Sequence, residues 1–213
     1  MKKLIVWMKS LFFALPMALS SFHSKKQEFS IVYDTARLWT LMFLKNVKVK
    51  IKIHHKNYMP LKEGVLFVVI NGSSIDQEVI ISSMTTPFIS VLTKEKRLFL
   101  LSKAWQKRLK TLVKPTSMDS TYFEEGQNFV NFADSIEMVN DACLTHAMNY
   151  DYPIVLIDVM NANRALDTQV LPSVVVDVKF NIPIVSEEYK ESSLTQLKHV
   201  MHIRKEGNVY EHD

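Results

Sequence analysis

The residues best suited to chemistry gather at one turn, Asn71-Gly72-Ser73-Ser74, with Asp76 just behind it. Ser73 supplies a hydroxyl, Asn71 an amide and Asp76 a carboxylate. An amide is not basic near neutral pH, so Asn71 cannot take a proton as a general base. Asp76 begins a helical spacing with Val79, Ile80 and Met84, where a carboxylate is also favoured simply as a helix-start charge. Cys143 and His146 form a second pair, at helical spacing. Two ligands can begin a metal site, but no further pair appears, so they read as a core cysteine beside a surface histidine. A single cysteine excludes an intrachain disulfide and a Cys-rich zinc site. Four glycines, Gly64, Gly72, Gly126 and Gly207, cannot build a glycine-rich phosphate loop, which excludes P-loop and dinucleotide-binding readings.

Several elements must hold that turn. The apolar run Val65–Ile70 predicts a buried strand leading into it. Before it, Asn46–His55 alternates Val47, Val49, Ile51 and Ile53 with Lys48, Lys50 and Lys52, which predicts a half-exposed strand at a sheet edge, its lysines on a solvated face. Ile31–Leu44 is a strongly apolar helix carrying Trp39, readable as a core helix or as half of a membrane-docking hairpin. Pro87–Thr93 and Tyr152–Met160 predict further buried strands. Lys94–Lys114 predicts a basic helix, and Phe123–Met148 a long one with Phe129, Phe132, Ile136, Val139, Cys143 and Ala147 on one stripe. Ser173–Phe180 is a short helix or strand. Leu197–Arg204, which alternates Leu197, His199, Met201 and Ile203, predicts a closing strand. Strands alternating with helices give an α/β fold.

The 213 residues, 47% hydrophobic and 23% charged, suit one domain with a small appendage. The net charge of +4 hides an asymmetry: the lysine-rich first quarter of the chain is strongly basic and the remainder mildly acidic. A basic, aromatic-bearing start favours an anionic surface, and the adjoining apolar runs point to membrane phospholipid rather than nucleic acid. Met1–Phe22, with Trp7, Phe12 and Phe13 among lysines, is too broken by Lys9 and Pro16 for a span of about 20 residues. It reads either as a helix lying in the bilayer interface or as a cleaved signal peptide, and the latter would make this a secreted or surface protein.

The strand–turn–helix around Asn71 resembles the first motif of the glycerolipid acyltransferases, the lysophosphatidate acyltransferase family. That motif reads Asn-His-x-Ser-x-x-Asp after an apolar strand. Aligned on Ser73 and Asp76, the family's catalytic His falls on Asn71 and its preceding Asn on Ile70. Asn57-Tyr58-Met59-Pro60 resembles the element preceding that motif. Ile182-Pro183-Ile184-Val185 resembles the family's fourth motif, with Ser186 for its final proline. Where the family has Phe-Pro-Glu-Gly-Thr-Arg-Ser after a strand, this chain reads Ile157 to Asn163. The Glu becomes Val159, the Gly Met160 and the Arg Ala162, with Arg164 two residues further on. The resemblance spans roughly residues 30–204 in consistent order.

It implies a mixed, largely parallel sheet flanked by helices, with a membrane-docking segment over residues 1–45 and an acyltransferase-like domain over 46–213. It implies acyl transfer to lysophosphatidate at the cytoplasmic face of a membrane, with Asn71 at the base position beside Asp76. Ser73, Asn161 and Arg164 would meet substrate, and Trp7, Phe12, Phe13 and Trp39 the bilayer. No metal and no resident cofactor are implied. The co-substrate would be a thioester of coenzyme A or of acyl carrier protein, the latter a candidate partner. Because Asn71 replaces the His, the resemblance implies an impaired enzyme or a non-catalytic lipid- or partner-binding relative, unless His54 or His55 substitutes as base.

Overall fold

The computed structural model describes residues 28–59, 64–70, 73, 75–93, 103–116, 126–164 and 173–207. Trp7, Phe12, Phe13 and Asn71 lie outside them. The described elements in chain order are α1 (Phe29–Asn46), β1 (Val49–His54), β2 (Leu66–Ile70), α2 (Asp76–Ser83), β3 (Phe88–Leu92), α3 (Lys103–Arg108), β4 (Leu112–Val113), β5 (Asn128–Ala133), α4 (Asp141–Asn149), β6 (Ile154–Met160), β7 (Val174–Phe180) and α5 (Leu194–Gly207).

One seven-stranded sheet runs in the order β1-β7-β6-β2-β5-β3-β4. Strands β6, β2, β5, β3 and β4 are mutually parallel. Strand β7 is antiparallel to β6 and parallel to β1, so β1 and β7 run against the other five. Every residue of β2, β3 and β5 is buried, as expected for strands covered on both faces. One face packs on α1 and α2 through Tyr33, Phe43, Val79, Ile80, Val69 and Phe132. The other packs on α4 and α5 through Phe129, Val68, Leu144, Leu197 and Met201.

Three expectations fail here. The basic helix expected over Lys94–Lys114 is, in its described residues, only α3 (Lys103–Arg108), followed by a turn with Lys110 at a left-handed φ of +50° and by strand β4 (Leu112–Val113). Phe123–Met148 is not one helix: its described residues form β5, a turn and then α4. Phe129 and Phe132 face opposite cores, as residues three apart on a strand must. A strand buried on both faces shows no alternation, and its apolar residues mimicked a helical stripe. Leu197–Arg204 lies within a helix, not a strand, since Leu197 and Met201 are buried while His199 and Ile203 are exposed. Ser173–Phe180 resolves as strand β7, and β1 sits at the sheet edge as its lysine row implies.

The amino ends of β2, β5 and β6 are closed by interlocked groups. Asn128 Oδ1 accepts the Val65 amide at 3.0 Å, and the Pro153 carbonyl accepts the Leu66 amide at 3.0 Å. The Tyr152 ring stacks on Phe129 and meets His146 edge-on, and its hydroxyl accepts the Gly126 amide at 2.8 Å. Gly64, at φ +80°, lets the chain pass that ring, because a Cβ there would lie 2.7 Å from a Tyr152 ring carbon. Beneath, the buried Tyr189 hydroxyl faces the carbonyls of Ala147 and Tyr152.

Candidate functional site

In open α/β sheets ligands bind outside the carboxyl ends of the strands. Here that rim is formed by the carboxyl ends of β2, β5 and β6 and, because β7 and β1 are reversed, by the amino ends of those two. Strand β2 delivers the chain to this rim at Ile70. Beyond it, the Ser73 amide donates to Asp76 Oδ2 at 3.0 Å, and the Ile75 amide meets Ser73 Oγ at 3.4 Å. Asp76 is 2% exposed, so its carboxylate is committed to shaping the turn as well as sitting in the positive first turn of α2. All eight residues of α2 are buried, Gln77 and Glu78 included. Gln77 Nε2 donates to Ser90 Oγ at 2.9 Å, Ser82 Oγ contacts Thr40 Oγ1 at 3.0 Å, and the Tyr33 hydroxyl donates to the Met84 carbonyl at 3.3 Å. The Asp76 turn is thus fixed to a helix held from two sides.

Strand β6, the neighbour of β2, supplies the second turn. Asn161 takes a left-handed φ of +65°, which an asparagine tolerates, and the Arg164 amide closes on the Asn161 carbonyl at 3.1 Å. Asn161 and Arg164 are exposed, while Val159 and Ala162 point into the core at 2% and 3% exposure. Adjacent strands lie about 4.8 Å apart, so the Ser73–Asp76 and Asn161–Arg164 turns leave the sheet side by side. Four of the proposed site residues therefore share one rim.

The histidines do not join them. In register, Val69 pairs with Ile157, Asp158 with Lys179, and Lys179 with His54, so His54 is level with the end of β2. Three strand spacings intervene, about 14 Å, beyond hydrogen-bond reach of a hydroxyl held at β2. His54 Nε2 is instead 2.8 Å from Asp177 Oδ1, and His55 stacks on Tyr58. His146 departs from the sequence reading too: it is not a surface residue but 8% exposed, packed against Phe129, Tyr150 and Tyr152 at the opposite end of the sheet. Burial pushes the Cys143 thiol up to about 12, leaving it inert as a nucleophile. Among the described residues no group of three His, Cys, Asp or Glu is placed to hold a metal ion.

Trp39 is partly buried against the core rather than presented outward. The outward face of α1 instead carries Ile31, Leu38, Leu41 and Met42, with Leu38 60% exposed. Among the described residues no helix is long and apolar enough to cross a membrane. The β1 lysines Lys48 and Lys50, expected on a solvated face, instead line an open hollow of about 300 Å³ on the same rim, together with Lys45, Val49 and Ser173. The alternation of β1 showed the lysines, but only the pairing of β1 with β7 brings Ser173 beside them.

No protein-family model matches the chain, and no curated protein matches it. Among solved structures it is similar to the crystal structure of the 1-acyl-sn-glycerophosphate (LPA) acyltransferase PlsC from Thermotoga maritima. The TM-score is 0.64 at 13% sequence identity, covering 97% of this chain and 96% of that one. The two share the fold, a mixed and mostly parallel sheet between helices.

Proposed function

We propose that this protein is a membrane-associated relative of the glycerolipid acyltransferases that binds a glycerolipid or fatty acyl chain at the β2/β6 rim and lacks ordinary acyl transfer to lysophosphatidate. The observation that carries this reading is the Ser73–Asp76 turn at the carboxyl end of central strand β2, in a fold shared with an LPA acyltransferase.

Acyl transfer needs a hydroxyl stripped of its proton as it attacks the thioester carbonyl, with the thiolate leaving. General-base help is typically worth about 10²- to 10⁴-fold, and the Asn71 amide cannot supply it. Holding the acceptor at near-attack distance is worth about 7–11 kcal/mol, and in the related motif a Glu and an Arg do that work. The matching Val159 and Ala162 are apolar and face the core, so no charged fork fits there without disrupting packing. Arg164 on the exposed turn remains as a guanidinium contact for an anionic headgroup. The bilayer contact in this reading is made at the cytoplasmic face by the basic amino-terminal region and the outward residues of α1.

An acyl-transfer assay tests it, with lysophosphatidate and both coenzyme A and carrier-protein thioesters, alongside titration with a fluorescent fatty acid. The expected result is saturable lipid binding, no turnover in the natural protein and none restored by Asn71→His. Robust turnover that vanishes in Asp76→Ala would overturn the reading and revive the enzyme. Failure to bind any lipid would remove the groove.

A further inference from the structure

We propose that the hollow at the junction of α1 and β1 binds the phosphate of an anionic phospholipid in the bilayer surface, a lipid distinct from anything held at the β2/β6 rim. This rests on the membrane reading above and deepens it.

The hollow is built by one tight reversal. Lys48 takes a left-handed φ of +60°, its amide donates to the Lys45 carbonyl at 3.1 Å, and its carbonyl accepts the Val174 amide at 3.1 Å. That reversal turns the last turn of α1 directly into β1. It places Lys45, Lys48 and Lys50 around one space with Ser173, whose hydroxyl adds a neutral donor. Lys190, Lys198 and Arg204 elsewhere are each matched to a carboxylate, whereas these three lysines have no carboxylate partner among the described residues. Three lysines bordering one hollow with no carboxylate partner among the described residues leave its positive charge uncompensated, and an anion bound there compensates it. Lysine meets phosphate as a point charge from several directions, which suits an open hollow better than the flat fork of arginine. The last carbonyls of α1 are partially negative, so the lysines rather than the helix dipole must supply the attraction.

The occupant follows from what adjoins the hollow. Ile31, Leu38 and Met42 recur on one face of α1 at spacings of seven and four residues, and Lys45 continues that face three residues on. An exposed apolar stripe ending in unpaired lysines fits a surface that is hydrocarbon on one side and phosphate on the other. A free phosphate would use the lysines and leave the stripe in water. The hollow also cannot serve the headgroup of a lipid reacting at β2: β1 lies about three strand spacings away, near 14 Å, longer than the glycerol link between hydroxyl and phosphate.

The test is vesicle flotation of the full chain on phosphatidylcholine alone and on phosphatidylcholine with phosphatidate. The natural protein is compared with Lys45→Gln/Lys48→Gln/Lys50→Gln and with a charge-matched control, Lys107→Gln/Lys190→Gln/Lys205→Gln. At about 1 kcal/mol per lysine near an anionic surface, the first triple should lose roughly 100-fold of its phosphatidate affinity. Its binding to phosphatidylcholine and its melting temperature should stay unchanged, and the control should keep the phosphatidate preference. Equal losses in both triples, or no loss in either, would overturn the site. A natural protein that binds both vesicles alike would remove the lysine site and leave the membrane reading intact. No binding to either would remove both. Displacement by inorganic phosphate, with no vesicle preference, would reassign the hollow to a soluble anion and overturn the lipid. None of these outcomes depends on acyl transfer, so an active enzyme would leave the inference standing.

Discussion

The two ends of the sheet are built differently. At the amino ends of β2, β5 and β6, rings and a left-handed glycine interlock: Gly64 against Tyr152, Tyr152 against Phe129 and His146, and Tyr189 beneath. At the carboxyl ends the strands open onto turns where Ser73 is half-buried and Asn161 and Arg164 face solvent, beside the lysine-lined hollow. One end is filled by side chains that need each other's shape; the other leaves polar groups ready for a partner. Substitutions at the first should therefore act on stability, and those at the second on binding.

Gly64→Ala should show the largest effect. A left-handed φ and a Cβ 2.7 Å from a ring pinned on both faces combine to about 2–4 kcal/mol of destabilisation, read from a urea midpoint. A loss under about 1 kcal/mol would mean that the ring is free to move and the closed end is not closed. Tyr189→Phe should follow, at about 1–2 kcal/mol, because it removes the one hydroxyl proton aimed at the Tyr152 carbonyl, while the Ala147 carbonyl keeps the Tyr152 amide.

His146 sharpens the contrast through pH. Burial holds its pKa below the ordinary 6.5, so the folded protein keeps it neutral while the unfolded chain takes up a proton. The unfolded state then binds more protons, and stability falls as pH drops through 6.5 toward the lower folded value. His146→Phe should flatten the melting-temperature slope between about pH 7 and pH 5. Glu137 leaves that comparison readable. The Ser135 hydroxyl first, then its own amide and His202, hold it at about 2, so its contribution fades only below its unfolded 4.5. An unchanged slope in the variant would place the titration elsewhere.

The smallest effect belongs to the open side. Leu38→Ser, on the outward face of α1, should change stability by less than about 0.5 kcal/mol while weakening vesicle binding. A clear drop in melting temperature would show that this face packs on something within the chain.

Strand β2, strand β6 and the edge position of β1 were legible because each carries an unbroken apolar run or a strict alternation. Ser73 and Asp76, singled out by residue type and spacing, do form one hydrogen-bonded turn. What failed had physical causes. In β5 both faces are buried, so Phe129 and Phe132 looked like one helical side although they enter separate cores. In α5 the short run Leu197 to Ile203 fits periods of two and four alike, and only burial separates them. His54 looked close to the turn because the next strand in sequence is β2, yet in space β7 and β6 stand between. Sequence order does not give strand order, and so the lysine hollow could not be read before its partner strand was known.

The reversed pair β1–β7 also sets the order of events as the chain is made. Val49 finds its partner Val174 more than a hundred residues later. At about 5–20 residues per second, β1 leaves the ribosome and waits roughly 6–25 s with both edges unpaired. A β-branched strand in that state is a template for its copies on neighbouring chains. The alternate lysines at 48, 50 and 52 keep such copies apart by like charge during the wait, and after β7 arrives they still guard the outer edge of β1, which no strand pairs among the described residues.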